Sequence, residues 1–137
     1  MMSDQGAAFL DTSFIIRYIT DDPIDMADRA AAIIDSNARL ILSPVIIAET
    51  AYVLTSFYRY SRADVVDTLG GLVQRQNIES IGISKDLILQ ALDLCRGSGR
   101  VSFADALLWA EALQQGGRVV YTFDRRFPAR GIEIRDA

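Results

Sequence analysis

Histidine is the most informative absence from this chain of 137 residues, because the sequence contains none. Without an imidazole, Ser-His-Asp hydrolysis, histidine acid–base cleavage of RNA and histidine-ligated zinc are all excluded. Cysteine is nearly absent too, so Cys95 can form neither an internal disulfide nor a cysteine metal cluster. Cys95 follows Leu92 and Leu94 in an apolar pattern, which predicts a small core residue. Carboxylates and hydroxyls remain as the groups available for chemistry.

The chain also has no long hydrophobic run. The longest uncharged stretch near its middle, from Leu40 to Ala48, is far shorter than the ~20 residues that a membrane span needs. We therefore expect a soluble protein with no membrane partner, and the lone cysteine suits the reducing cytoplasm. The length predicts one domain over residues 1–137. Because half of the residues are hydrophobic, part of the apolar surface is expected to be covered by a partner.

Lysine is the third scarce residue, since thirteen of the fourteen basic residues are arginine and only Lys85 is lysine. Arginine suits bidentate pairing with phosphate or carboxylate groups. The formal net charge of −4 argues at first against a nucleic-acid ligand. Two divalent cations held by a cluster of acids would cancel that charge, so net charge does not decide the question.

Apolar strands alternate with amphipathic helices along the whole chain. This alternation predicts a three-layer α/β/α fold with a mostly parallel sheet of four to five strands. The predicted strands are 7–10, 39–43, 78–83, 118–123 and 131–134, and the predicted helices are 14–19, 24–36, 44–58, 61–76, 85–96 and 102–115. The first strand has no polar alternation, as expected when helices cover both of its faces.

Four acids stand where such a fold brings side chains to one rim of the sheet. Asp11 and Asp124 each follow an apolar strand, Glu49 lies beside the apolar face of a helix, and Asp105 lies in a first helical turn. Each also has an ordinary structural explanation. Asp11 and Asp105 suit helix caps, Glu49 suits a salt bridge, and Asp124 suits a turn paired with the arginines that follow it. Carboxylates clustered without histidine or thiolate favour magnesium or manganese.

Six short motifs, in this order and spacing, resemble the PIN-domain family and, within it, the VapC-type toxin ribonucleases of prokaryotic toxin–antitoxin pairs. The resemblance covers nearly the whole chain, although many relatives carry asparagine where this chain has Ser13. The motifs are Leu10-Asp11-Thr12-Ser13, Arg17-Tyr18-Ile19, Asp21-Asp22-Pro23, Ser43-Pro44 followed by Glu49, Asp105-Ala106-Leu107-Leu108, and Thr122-Phe123-Asp124-Arg125-Arg126-Phe127.

The resemblance implies a metal-dependent endoribonuclease that hydrolyses RNA phosphodiesters with one or two Mg²⁺ or Mn²⁺ ions. It places Asp11, Glu49, Asp105 and Asp124 at the metal-site and catalytic positions. In this interpretation Asp11 is the central ligand and Glu49 orients water directly or through an intermediate group. The supporting hydroxyls are those of Thr12, Ser13 and Thr122. Metal-activated water needs no side-chain base, which suits a chain without histidine.

The resemblance also implies partners. A cognate antitoxin would inhibit the nuclease by laying a helix in an apolar groove, and a homodimer is expected. The apolar and aromatic set Tyr52, Val53, Phe57, Tyr58 and Tyr60 is expected to be partly core and partly such a surface. Four arginines are candidate phosphate contacts, namely Arg17, Arg100, Arg125 and Arg126, although each also suits a solvated charge.

Two other functions stay open from the sequence alone. One is an aspartyl-phosphate receiver or phosphatase, since both place Asp at the end of a parallel strand. The phosphatase pattern wants a second acid where this chain has Ser13, and the receiver wants a lysine after a late strand, whereas Lys85 opens a helix. The other is a PIN-like module that binds RNA or protein without turnover.

Overall fold

Helices and parallel strands alternate throughout the computed structural model, which describes residues 6–97 and 101–137. Every strand pair there is parallel, so the predicted three-layer α/β/α architecture is confirmed. The elements are β1 (Ala8–Phe9), α1 (Thr12–Thr20), α2 (Ile24–Ile34), β2 (Leu40–Leu42), α3 (Pro44–Ser56), α4 (Arg62–Val73), β3 (Ile78–Ser80), α5 (Lys85–Leu94), α6 (Phe103–Gln115), β4 (Val119–Tyr121) and β5 (Glu133–Arg135).

Backbone pairing divides these strands into two groups. One has the order β1-β2-β3, with Ala8 opposite Leu40, and the other pairs β4 with β5. All five strands are two or three residues long and therefore shorter than predicted. The reason is visible after β2, where Ser43 already occupies the cap position of α3 and leaves the strand. Thr122 likewise follows β4 into a turn.

Serine side chains start three of the helices in the predicted way. The hydroxyls of Ser61, Ser84 and Ser102 each accept a hydrogen bond from the amide three residues ahead. Such caps satisfy one of the amides that a helix start leaves without an intrahelical partner. At the other end of α6, Gly116 adopts φ 81°, a left-handed conformation that closes the helix at little steric cost.

The first strand departs from the prediction that helices cover both of its faces. Leu10, which follows β1, is buried, but Phe9 is 64% exposed and Ala8 is exposed as well. The prediction for residues 7–10 was wrong because an apolar run looks the same in a central strand and in a strand at the end of its hydrogen-bonded group. In the β1-β2-β3 group, β1 pairs on one side only.

Helix packing brings the elements that carry the four acids into contact. Helix α1 packs against α2 and α3, and α3 packs against α6. Helix α6 also contacts β4. The two largest contributions to the core from α6 are Phe103 and Trp109, both buried. No helix among the described residues is both long and apolar enough to span a membrane.

Candidate active site

Asp11 ends the β1 segment and caps helix α1. Its Oδ2 atom accepts a hydrogen bond from the Ser13 hydroxyl at 2.8 Å and from the Ser13 amide at 3.3 Å. The hydroxyl of Ser13, followed by its amide, holds the pKa of Asp11 below its ordinary value, so the exposed side chain is ionised at neutral pH. The cap explanation is therefore confirmed. Both hydrogen bonds from Ser13 reach Oδ2, so the other carboxylate oxygen, Oδ1, accepts none from Ser13.

Thr12 joins this strand end to Glu49 on helix α3. The Thr12 side chain is buried, and its hydroxyl donates to Glu49 Oε1 at 2.5 Å across 37 residues of sequence. The expected salt bridge to an arginine is not found for Glu49 in residues 6–97 and 101–137. Thus a neutral hydroxyl links the region of Asp11 to the second carboxylate.

Glu49 is also more accessible than its apolar neighbours in sequence suggest. It is exposed, and the residues one turn before and after it on the same face, Val45 and Tyr52, are 69% and 62% exposed. The buried stripe of α3 runs instead through Ile47, Ala51 and Leu54. The apolar neighbours of Glu49 in the sequence therefore do not bury its side chain. Its accessibility leaves the carboxylate open to a ligand from solvent.

Asp105 lies in the first turn of α6. Its amide donates to the Ser102 hydroxyl at 3.0 Å, so the cap that the spacing predicts is present. This bond uses the backbone and leaves the half-buried carboxylate available.

Burial raises the pKa of the Cys95 thiol to about 11, and the charge of Asp105 adds to that increase. Cys95 is thus confirmed as a buried core residue, and it is protonated at neutral pH.

Asp124 follows β4 in a turn that its own neighbours stabilise. Its amide donates to Thr122 Oγ1 at 3.0 Å, and its Oδ1 accepts from the Arg126 amide at 2.8 Å and from Arg126 Nε at 3.3 Å. The Arg126 amide, followed by its guanidinium, holds the pKa of Asp124 below the ordinary value. The predicted turn is confirmed, but only one of the two following arginines, Arg126, pairs with Asp124. Arg126 is therefore engaged by Asp124.

The four acids are not gathered into one closed cluster. In the part of the chain that the structure describes, no three acidic or thiol side chains lie close enough together to hold a metal ion. The structure links Asp11 with Glu49 through Thr12, and it places Asp105 and Asp124 on α6 and after β4, two elements in contact. The donor chemistry fits a hard divalent cation, since all four side chains offer only carboxylate oxygens.

The candidate arginines differ in their surroundings. Arg17 donates to the backbone carbonyl of Asp22 at 3.3 Å and is half-buried. Arg125 is exposed, and no partner for its guanidinium is found among residues 6–97 and 101–137. Arg100 lies outside the described residues.

Two residues that the sequence did not single out brace the elements carrying Asp105 and Asp124. Arg62 of α4 donates from Nε to the Cys95 carbonyl at 2.7 Å and from its other arm to the Val101 carbonyl, and its guanidinium lies 4.9 Å from the centre of the Phe103 ring. Trp109 donates to the carbonyl of Arg130 at 2.7 Å. These contacts span 21 to 41 residues of sequence, so no local pattern reveals them.

The chain matches a known protein family over most of its length. The family model described as "PIN domain" matches residues 8–132 of the chain. The chain therefore belongs to the PIN-domain family, as the resemblance of its motifs predicted. Members of this family are generally nucleases and typically use divalent metal ions, and membership suggests an RNA substrate. None of the curated proteins is similar enough to count as a match.

Proposed function

We propose that this chain, folded as one domain over residues 1–137, is a metal-dependent endoribonuclease and the toxin of a type II toxin–antitoxin pair of the VapC type. Its single cysteine favours a cytoplasmic site of action. The observation that carries the proposal is the Thr12 hydroxyl, which joins the Glu49 carboxylate to the strand end that bears Asp11. Open α/β folds bind ligands outside the carboxyl ends of their parallel strands, and the Asp11 carboxylate lies at such an end.

Asp11 and Glu49 are the proposed protein ligands for Mg²⁺ or Mn²⁺, with Asp105 and Asp124 completing the site for one or two ions. Mg²⁺ usually keeps several waters and binds through one or two carboxylates together with substrate phosphates, so a closed cage of acids is not required. When bound, such an ion lowers the pKa of a water and stabilises the leaving oxygen. This proposal predicts that RNA strengthens metal binding by supplying phosphate oxygens.

The remaining side chains are proposed to set the charge and position of the carboxylates. Ser13 lowers the pKa of Asp11 through two hydrogen bonds, and Thr12 donates to one oxygen of Glu49. Thr122 holds the backbone of Asp124 in its turn. The hydroxyls of Ser13 and Thr12 thereby restrict two carboxylates, and that of Thr122 restricts the backbone of a third acid, before substrate arrives. This lowers the entropy that a productive complex loses.

The decisive experiment is cleavage of defined single-stranded RNAs in Mg²⁺, Mn²⁺ or EDTA. We expect Asp11→Asn and Asp105→Asn each to reduce metal-dependent cleavage by about a hundredfold or more. The matched control is Asp64→Asn, because the Asp64 amide donates to the hydroxyl of a cap serine at 3.0 Å, as the Asp105 amide does. Cleavage that persists in EDTA, or that survives both substitutions, would contradict the proposal.

A second candidate is a PIN module that binds RNA or protein without turnover. The observation that favours it is the lack, within the described ranges, of three acids near enough to enclose an ion. The same assay separates the two functions. A non-catalytic module binds RNA with equal affinity in EDTA and in Mg²⁺ and yields no product in either.

The proposed antitoxin site is the groove between α1 and α2. It has a volume of about 690 Å³. It is largely apolar and includes Phe14, Met26, Ala32 and Ile33. Ser13 also lines it, so a helix laid there would lie beside Asp11. We expect Met26→Asp to weaken capture of the antitoxin while leaving free cleavage unchanged, as measured by titration of nuclease activity with the partner.

The proposed homodimer surface lies on α3 and just after it. Tyr52 and Phe57 are 62% and 71% exposed, whereas Val53 and Tyr60 are half-buried against the core. The aromatic set is therefore divided between core and surface, as expected. Sedimentation of the full chain tests the proposal. A monomer at all concentrations, unaffected by Tyr52→Asp, would contradict it.

A further inference from the structure

Phe123 is the most exposed large apolar side chain in the part of the chain described here. Its exposed fraction is 89%, and it stands between Thr122 and Asp124. Four residues later in the same segment, Phe127 is buried. Single exposed apolar side chains are common on protein surfaces, so the exposure of Phe123 gains meaning only from its position next to Asp124, where a ligand bound at the candidate site would contact the ring.

The backbone on both sides of Phe123 is fixed, which keeps the ring in solvent. The Thr122 amide donates to the Arg135 carbonyl at 2.9 Å, in continuation of the β4–β5 pairing. The Asp124 amide donates to Thr122 Oγ1, and the Asp124 carboxylate accepts from the Arg126 amide. Moving Phe123 into the core would require its backbone to turn, which would break these bonds. The exposed position is therefore pre-organised by the same contacts that orient Asp124.

Phe123 shares a cleft with side chains of both charges. The cleft has a volume of about 470 Å³, and its charged lining residues are Asp124, Arg125, Arg135 and Asp136. The Arg125 guanidinium has no partner within the described ranges, whereas Arg135 pairs with Glu133 at 2.7 Å. An isolated aromatic ring with a free arginine beside it is typical of surfaces that bind single-stranded nucleic acid, where a base stacks on the ring and a phosphate meets the cation.

This cleft differs from the groove between α1 and α2, which is mainly apolar and suits a helix. Polar and charged residues form most of the Phe123 cleft, so an aliphatic protein surface would bury charges there without partners. A nucleotide instead offers a flat apolar face for the ring and an anionic phosphate for Arg125. The exposed ring and the Arg125 guanidinium together favour a nucleotide as the occupant, although Asp124 and Asp136 in the same lining oppose an anion elsewhere in the cleft.

We propose that Phe123 stacks on a base of the RNA substrate next to the phosphodiester held at Asp124, with Arg125 contacting an adjoining phosphate. This inference rests on the proposed function and assigns the substrate subsite at its Asp124 end. Because every base has an aromatic face, the contact favours single strands over duplexes without selecting a sequence.

The test measures binding of single-stranded oligoribonucleotides to the full chain in EDTA, where a metal-dependent nuclease leaves them intact. We expect Phe123→Ala to weaken binding by about tenfold or more, Phe123→Trp to retain it, and Phe123→Leu to resemble the alanine variant. Ile81→Ala is the control, because Ile81 is also an exposed apolar residue but lies in the loop after β3.

A scan with single abasic positions identifies the stacked base. At one position the loss caused by the missing base and the loss caused by Phe123→Ala should not add, since both remove the same contact. Equal binding by the wild type and Phe123→Ala, or equal retention by Leu and Trp, would overturn the inference. So would a change of oligomeric state with RNA affinity unchanged, which would assign the ring to a protein contact. Metal-dependent cleavage that is lost in Asp11→Asn keeps the proposed function intact in each of these cases.

Discussion

The two sides of the candidate site are held in different ways. On the first side, Ser13 donates to the Asp11 carboxylate two residues away, and the Thr12 hydroxyl between them donates to Glu49. On the other side, Asp105 and Asp124 depend on Arg62 and Trp109, whose partners lie far away in the sequence. The bonds to Asp11 are thus local, whereas the Thr12–Glu49 bond and the contacts of Arg62 and Trp109 all require segments far apart in the sequence.

The electrostatics of the two sides differ as well. Both strand-end aspartates have a lowered pKa, but a serine hydroxyl is the main cause at Asp11 and the arginine segment is the cause at Asp124. A hydroxyl leaves the net charge of its carboxylate unchanged, while the Arg126 guanidinium neutralises part of the charge at Asp124. The Asp11 side therefore offers the stronger attraction for a cation.

Removing Arg62 should have the largest effect on stability. Arg62→Ala leaves the carbonyls of Cys95 and Val101 without their charged donor and uncovers the Phe103 ring. We expect a loss of about 3 kcal/mol in the free energy of unfolding, measured with urea. Arg29→Ala is the control, since its contact with Asp25 is 3.8 Å long and fully on the surface, and it should cost less than about 0.5 kcal/mol. Equal losses in the two variants would show that Arg62 is not a brace.

Removing the hydroxyl of Thr12 should separate the carboxylates of the first side. Thr12→Val keeps the shape of the side chain but deprives Glu49 Oε1 of its donor. We expect metal-dependent RNA cleavage to fall by about 10- to 100-fold. Thr55→Val on α3 is the matched control, because its hydroxyl donates only to the backbone of its own helix. If both variants cleave RNA equally, the Thr12–Glu49 bond does not matter for activity.

Replacing Ser13 should change the pH dependence of the first side. Because the folded-state pKa of Asp11 is lowered, its contribution to stability is present above the unfolded pKa of about 3.9 and is lost as pH falls through the folded pKa. Ser13→Ala should therefore destabilise the protein at neutral pH but not at strongly acidic pH. The acidic limb of the cleavage rate should also move to higher pH. Thermal unfolding across pH, with Ser36→Ala as control, measures the first effect.

Adding salt should produce the smallest effect, a change in the pKa of Asp124 that exceeds the change at Asp11. At about 1 M salt, where the screening length is about 3 Å, the charge interaction between Arg126 and Asp124 weakens. The hydroxyl bond to Asp11 is not screened in this way. We expect a small rise in the pKa of Asp124 and a smaller change for Asp11, followed by carboxyl carbon NMR. A larger rise for Asp11 would reverse the comparison.

Local sequence predicted the helices well because their signals lie within a few residues. Ser61, Ser84 and Ser102 mark helix starts through bonds that span three positions, and Gly116 marks an end. Strand lengths and the exposure of Phe9 were predicted less well. Both depend on which strands pair, and pairing partners lie tens of residues apart.

The candidate acids were identified from strand ends and helix starts, but their contacts were not. The hydroxyl partner of Glu49 and the exposure of its helix face arise from the packing of α1 on α3. The exposure of Phe123 arises from a turn whose bonds include the β5 backbone. Interactions of this kind carry no periodicity that a single sequence reveals.

The amino-acid sequence limits the available chemistry to carboxylates and hydroxyls, since histidine is absent and the one cysteine is apolar in context. It also determined the alternation of strands and helices and the caps that bring Asp11 and Asp105 to helix starts. Three features appear only in the folded chain: the bond from Thr12 to Glu49, the contacts of Arg62 before the start of α6, and the exposure of Phe123 to solvent. Those features depend on packing between segments distant in the chain, where burial and hydrogen bonding select one arrangement.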